Sequence, residues 1–294
     1  MNQPTRATRR GETGFVHPGS PEHGRYVTAS KVASILGVSR FQSAWSLWQH
    51  MRGNVPPKPD APTPEVFLVG HAYELALAEL WRLKNPAWRL SPGEVQYVTD
   101  LGFPAMATVD RRASKGRARK IVEMKTARDL SEFGDPEKTG EVPADYAAQL
   151  TFQMMVSGVH DAELIVIGPF FQSIIYRIDF DEKVANWINQ ECRYFYDSLK
   201  RDTPPPLDDS VSTYYTAKAM HPEITLDLER VLPEQLAVDL QQAVAASKEA
   251  EAHARGLKSK VLDLMGDAQH GTANGERVVT RRPGARGSVN LIVR

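Results

Sequence analysis

The apolar positions of the chain fall into stretches of period 3.6 and period 2, separated by turn-forming residues. In TASKVASILG, residues 28–37, Val32, Ile35 and Leu36 share a helical face, Thr28 or Ser30 can cap its start, and Gly37 supplies the stop. A second helix is expected over residues 44–51. The run PPKPDAPTP, residues 56–64, forces an extended loop, because proline lacks the amide donor and restricts the residue before it. VFLVGHAYELALAELWRL, residues 66–83, is helical and apolar almost all round, which predicts burial. It nevertheless carries Glu74 in its middle, and a buried carboxylate needs a partner or a cation.

Two strands are expected next, AMATVDRR around Asp110 and KIVEMKT, joined by a polar hairpin connection ASKGRAR. In the second strand Ile121, Glu123 and Lys125 share one face, and Val122, Met124 and Thr126 the other. A helix over residues 143–158 follows, with Pro143 suited to its first turn. Its polar residues Tyr146, Gln149 and Gln153 fall at i, i+3 and i+7 and form one stripe on an otherwise apolar element. ELIVIGPF and SIIYRIDF read as two further strands, and residues 182–199 as an amphipathic helix. This order predicts an α/β (α+β) fold with a mixed central sheet flanked by helices and a C-terminal helical extension.

The expected organisation is a mobile arm over residues 1–24, a main domain over 25–200, a linker over 201–232 containing the three prolines of RDTPPPLDDS, and a C-terminal part over 233–294. In that last part Leu236, Leu240, Ala243, Ser247, Ala250, Ala254, Leu257, Val261 and Leu264 alternate in steps of four and three. Such a seam suits packing on the body of the protein or on a partner. The terminal GERVVTRRPGARGSVNLIVR reads as a β-hairpin or a mobile tail.

Composition narrows the class. With 41% hydrophobic and 24% charged residues, the 294-residue chain has the make-up of an ordinary globular protein, and no apolar run approaches the length of a membrane span. The N-terminus has no apolar core of a secretory signal, and Cys192 is the single cysteine, so an intrachain disulfide is excluded and a reducing cytoplasm is the expected location. Lys plus Arg (36) equal Asp plus Glu (36), so net charge points to no polyanion. Locally, Arg111, Arg112, Lys115, Arg117, Arg119, Lys120, Lys125 and Arg128 make a basic run. Smaller clusters lie at Arg6, Arg9 and Arg10 and at Arg277, Arg281, Arg282 and Arg286. Such stripes permit nucleic-acid binding, as they permit solvated loops.

The chemistry concentrates on Asp110 at the end of one strand and Glu123-Met124-Lys125 on the next. Two hard carboxylate ligands open on one side suit Mg²⁺, which keeps several waters and takes one or two protein carboxylates plus phosphate oxygens. Lys125 on the same face can orient or deprotonate a water, and Glu74 is a candidate third carboxylate for a second metal. A Glu and a Lys inside an apolar strand, a Glu inside an apolar helix and a polar stripe on another helix are three anomalies that one shared polar site would explain.

An Asp and an E-x-K on adjacent strands resemble the PD-(D/E)xK nuclease superfamily. The pieces TASKVASILG with Arg40 behind it, VGHAYELALAELW, ATVDRR, VEMKTARD and YAAQLTFQMMVSG, in this order over about two thirds of the chain, resemble the lambda-type phage exonucleases and YqaJ-type viral recombinases. Val109 stands where the superfamily name has proline, and His71 where that family often has a polar residue after glycine.

The resemblance implies a PD-(D/E)xK-type fold and a Mg²⁺-dependent exonuclease, with Mn²⁺ able to substitute and two ions in the site. The enzyme would resect linear duplex DNA 5′ to 3′. Asp110, Glu123 and the Met124 carbonyl would hold metal, Glu74 would reach a second ion, Lys125 would activate water, and Gln149 with Tyr146 would line the site. Ser30, Arg40 and Arg25 would hold the 5′-phosphate. Double-stranded DNA ends, a single-strand annealing protein and a homo-oligomer, a trimeric ring, are the implied partners, in the cytoplasm of a bacterium or phage-infected host and without a membrane. The rival readings are a RecB-like or restriction-type nuclease and a non-catalytic DNA-binding protein on the same scaffold.

Overall fold

The computed structural model describes residues 6–56, 65–285 and 288–294. Apart from Pro56, the expected proline-rich loop lies outside the described residues, as does Arg286 of the last basic cluster. In chain order the elements are β1 (Arg6–Arg9), α1 (Pro21–Gly24), β2 (Val27–Thr28), α2 (Ala29–Ile35), α3 (Ala44–Met51), α4 (Glu65–Lys84), β3 (Arg89–Leu90), β4 (Val95–Asp100), β5 (Pro104–Val109), β6 (Arg111–Lys115), β7 (Ala118–Thr126), α5 (Ala144–Ser157), β8 (Asp161–Ile167), β9 (Ser173–Asp179), α6 (Glu182–Arg201), α7 (Val211–Met220), α8 (Glu234–Met265), β10 (His270–Ala273), β11 (Glu276–Pro283) and β12 (Val289–Val293). Two compact units part between Ile224 and Thr225.

The first unit holds two sheets, of strand order β1-β4-β5-β2 and β3-β6-β7-β8-β9. In the larger one β7 and β8 run parallel, with α5 in the connection between them, and the other neighbours are antiparallel, so the sheet is mixed as expected. The chain leaves the smaller sheet at Val109 and enters the larger at Arg111, which puts Asp110 at the crossing.

Strand β7 is buried on both faces, as a parallel strand between helical layers must be. Ile121 belongs to the main core with Leu150, Phe152 and Met154 of α5, whereas Val122 and Met124 pack in a second cluster with Leu77, Ala78 and Trp81 of α4. The predicted alternation therefore sorts its side chains between two layers. Helix α5 is capped by Pro143 and stopped by Gly158 at φ 69°, a left-handed position that glycine adopts without steric cost.

Four expectations are corrected. Residues 6–24 do not form a mobile arm: β1 pairs with β4, Phe15 and Val16 are buried, and the Gln96 side chain closes both hydrogen bonds of the Val16 backbone, at 2.8 and 2.9 Å. The span 201–232 is not a plain linker, because α7 packs on α3 through hydroxyl pairs, Ser43 with Thr213 and Ser46 with Thr216, each at 2.7 Å. A seam of hydroxyls has no hydropathy signal. Helix α4 is buried on one face only: Leu77, Ala78 and Trp81, with Tyr73 and Leu80 partly buried beside them, pack on the sheet, whereas Phe67, Leu68, Val69, Leu75 and Leu83 are exposed. The hairpin connection is also tighter than ASKGRAR, since β6 runs to Lys115 and β7 starts at Ala118, turning at Gly116 with φ 56°.

In the second unit β10, β11 and β12 form an antiparallel three-stranded sheet, one strand more than the expected hairpin. Among the described residues no helix is long and apolar enough to cross a membrane.

Cys192 is buried in the main core, and burial pushes its thiol up to about 12, so little nucleophilic thiolate forms near neutral pH. A soluble thiol reagent should leave the native protein unlabelled and modify one site per chain after denaturation; fast labelling of the native protein would contradict this environment.

Candidate active site

Glu123 sits at the centre of β7 with its side chain 3% exposed. Its Oε1 accepts from Lys125 Nζ at 2.5 Å and Gln149 Nε2 at 2.6 Å, and its Oε2 accepts from Gln153 Nε2 at 2.9 Å. Two residues along a strand return to the same face, which brings Lys125 back to Glu123. Four residues along α5 return to the same stripe, which brings Gln149 and Gln153 to the two carboxylate oxygens. Tyr146, one turn earlier, lies 5.8 Å from Lys125 Nζ and 5.2 Å from the Arg40 guanidinium, measured to its ring centre. Gln153, fully buried, belongs to the same stripe and holds Glu123 although the resemblance implies no role for it; its second donor contact, to the Thr108 carbonyl at 3.3 Å, ties β5 to α5.

Asp110 Oδ2 accepts from the Met124 amide at 2.8 Å, which pins the crossing point to β7. Burial, and after it the charge of Glu123, holds the Asp110 carboxyl well above its ordinary range, against the opposing pull of Lys125. Burial alone would lower the Lys125 ammonium, but Glu123 and Asp110 outweigh it and raise it above the ordinary lysine value. Lys125 stands in the cleft beside both carboxylates, placed to orient or activate an attacking water.

Glu74 reaches the same cleft from α4. Its Oε1 accepts from Arg111 at 2.7 Å, and the same guanidinium nitrogen donates to the Asp110 carbonyl at 2.6 Å. His71 Nδ1 lies 3.6 Å from the other Glu74 oxygen. Arg111 thus links Glu74 to the crossing, a role no local pattern announces, since 37 residues separate the partners.

His71, Glu74, Asp110, Lys125, Tyr146 and Gln149 line a cleft of about 570 Å³ together with Ser30, Ser39, Phe41, Phe67 and Asp145, and Glu123 sits behind its wall, joined to it through Lys125 and Gln149. Ser30 is exposed there, its hydroxyl 3.0 Å from that of Thr28. Arg40 stands between two cleft residues, Ser39 and Phe41, but is engaged: Nε and Nη2 donate to the oxygens of Asp145 at 2.9 to 3.2 Å, and Nη1 donates to Glu132 at 2.9 Å. Arg25 is not brought to this cleft. Arg25, the residue that ends α1, lines a separate depression with Arg52, Tyr196 and Lys200.

The basic run is likewise divided. Arg111 and Lys120 point inward, Lys120 to Glu163 at 2.5 Å, while Lys115, Arg117 and Arg119 are exposed around the β6–β7 turn. Trp81 Nε1 donates to the other oxygen of Glu163 at 2.7 Å, completing a second buried charge cluster at the opposite end of β7 from Lys125.

Among the described residues no three His, Cys, Asp or Glu side chains form a ready-made metal cage. The donor set nevertheless fits a hard cation. Glu123 uses three of roughly four lone-pair sites of a carboxylate, and Asp110 has one oxygen without a hydrogen-bond donor among the described residues. The mutual repulsion of Asp110, Glu123 and Glu74 that raises the Asp110 carboxyl is what a divalent ion would relieve. Few protein carboxylates and an open side leave room for water and phosphate oxygens.

An aspartate at a strand crossing beside a Glu-x-Lys strand, in a mixed sheet flanked by helices, is the arrangement expected from the resemblance to the PD-(D/E)xK superfamily. Over residues 20–160 the chain matches the family model of the YqaJ-like viral recombinase domain. Among solved structures, an alkaline exonuclease of Laribacter hongkongensis is similar at 17% identity and a TM-score of 0.47, covering 67% of this chain and 95% of that one. A phage-related exonuclease of Haemophilus somnus is similar at 13% identity and a TM-score of 0.44, covering 60% and 96%. No curated protein matches.

Proposed function

We propose that the protein is a Mg²⁺-dependent exonuclease that resects linear duplex DNA from 5′ ends and exposes single strands for an annealing protein. The observation that carries this reading is that Asp110 and Lys125 line one open cleft, with Glu123 directly behind it on Lys125, within the stretch that matches the YqaJ-like family model. Asp110, Glu123 and the Met124 carbonyl would hold the ion, with Glu74 toward a second; Mn²⁺ would substitute. Bound metal would supply Lewis-acid stabilisation of charge on the phosphate.

The protein's own groups do the rest. Lys125 orients and activates the attacking water, while Gln149 and Gln153 fix the Glu123 carboxylate and prevent it from rotating. Tyr146 walls the cleft between Lys125 and Arg40. Ser30 and Arg40 would receive the 5′-phosphate, Arg40 exchanging the Glu132 contact for it while Asp145 keeps the guanidinium oriented.

The test is digestion of duplex labelled at each end, linear against covalently closed, with 5′-phosphate or 5′-hydroxyl, with Mg²⁺ or chelator. Linear DNA alone should be degraded, from the 5′ end, and only with metal. Arg40→Ala should slow phosphorylated ends by at least about tenfold more than hydroxyl ends, since a charge-assisted bond to the terminal dianion is lost. Equal loss on both substrates would move Arg40 to general backbone binding, and cleavage of closed circles would make the protein an endonuclease.

A further inference from the structure

We propose that Arg111 takes the place of a second cation in the DNA-free protein: its guanidinium neutralises Glu74, so that the cleft binds one divalent ion and not two. The inference rests on the metal-dependent reading above and narrows it to the state without DNA. Arg111 acts through Glu74 and is a positioning residue.

Its location follows from strand and helix periodicity. Arg111 begins β6 opposite Val122 of β7, the neighbour of Glu123. Arg111 and Ala113 lie two apart and so share a face of β6, and Ala113 packs in one cluster with Leu77 and Ala78 of α4. Glu74 precedes those two residues by three and four positions and therefore lies on the same stripe of α4. The Arg111 side chain, 5% exposed, is thereby delivered to a carboxylate that is itself only 19% exposed, at 2.7 Å, and the same nitrogen donates to the Asp110 carbonyl at 2.6 Å. An arginine keeps its charge in such surroundings, and an enclosed ion pair is costly to part.

Charge sets the number of ions. Counted as ionised, Glu74, Asp110 and Glu123 meet Arg111 and Lys125, and one negative charge is left over. Asp145, the remaining carboxylate of the cleft, is held by Arg40. One divalent ion carries this group past neutrality. A second would bring two more charges of the same sign into the same cleft, a repulsion that Glu74 does not offset while Arg111 shares it. A DNA phosphate supplies the missing negative charge, so two ions remain compatible with the complex.

The probe is Mn²⁺, titrated into the full chain without DNA, with the free ion counted by its electron paramagnetic resonance signal and folding confirmed by circular dichroism. The wild type should bind one ion per chain. Arg111→Gln, which frees Glu74, should bind a second ion and hold the first about tenfold more tightly, because a positive charge beside the cleft is lost. Arg111→Lys, which keeps the charge, should bind one, and Arg111→Gln combined with Glu74→Gln should return to one. A bridge that merely fastened α4 to β6 would cost stability in Arg111→Gln and leave the count at one throughout. Two ions on the wild type, or one on folded Arg111→Gln, would overturn the proposal and leave the nuclease reading standing; no ion on the wild type would overturn both. Should Arg111→Gln fail to fold, the wild-type count and Glu74→Gln decide: Glu74→Gln should still bind one ion, and loss of that ion would mean that Glu74 holds it in place of Arg111.

Discussion

Replacing Asp110 by asparagine should reduce cleavage of linear duplex by about 10³-fold or more while leaving the protein as stable as the wild type or more stable. The loss follows from removing a charge that would hold the metal and stabilise the transition state. The stability follows from geometry: the asparagine carbonyl can still accept from the Met124 amide, and the charge it removes is disfavoured by burial and by Glu123. The sign is that of a carboxyl whose folded value lies above its unfolded one, so its ionised form at neutral pH opposes folding and neutralising it does not. Added Mg²⁺ should raise the melting temperature of the wild type and not that of Asp110→Asn, which reads metal binding without reference to turnover. Retained turnover within about tenfold, on the scale expected for losing a mere orienting contact, would remove Asp110 from the chemistry. A melting point several degrees below wild type would make its role structural.

The second large effect lies at the other end of β7. Lys120→Met should destabilise the protein by about 3–5 kcal/mol, because it leaves Glu163 ionised, almost wholly buried and without its ammonium partner. Arg177, 3.8 Å from Glu163 and largely exposed, is too solvated to substitute. Adding Glu163→Gln should recover most of the loss, since the amide oxygen can keep the Trp81 indole bond while the uncompensated charge disappears. Urea midpoints of the two variants measure this directly. A single-variant cost under about 1 kcal/mol would mean that the pair behaves like a solvated surface bridge. Turnover per folded molecule should not change, because Lys120 has no contact with the cleft.

The two charge clusters on β7 show why one lysine of the basic run belongs to chemistry and another to stability. Both project from the same strand and both face a glutamate. Lys125 opens onto a cleft, its side chain 25% exposed, where it meets a carboxylate already crowded by two others, whereas Lys120 is enclosed with a partner whose remaining oxygen is satisfied by Trp81. Unbalanced charge at an opening is available to a ligand; balanced charge in the interior is not.

Local pattern determined the elements that build the site. The period of two in KIVEMKT placed Glu123 and Lys125 on one face, and the spacing of Tyr146, Gln149 and Gln153 placed three polar groups on one stripe of α5, because backbone geometry alone sets those directions. The heptad spacing of α8 was equally legible. What the tertiary structure decided were the pairings between distant positions: Arg40 with Asp145 across 105 residues, Arg111 with Glu74, Lys120 with Glu163, and β1 with β4. It also decided that α4 buries one face, that Arg25 lines a separate depression and that hydroxyl pairs fasten α7 to α3. The physical reason is range: helix and strand periodicity arises from a few neighbouring residues, whereas the partner of a charge or a hydroxyl depends on which elements the whole chain brings within about 3 Å, the reach of a hydrogen bond.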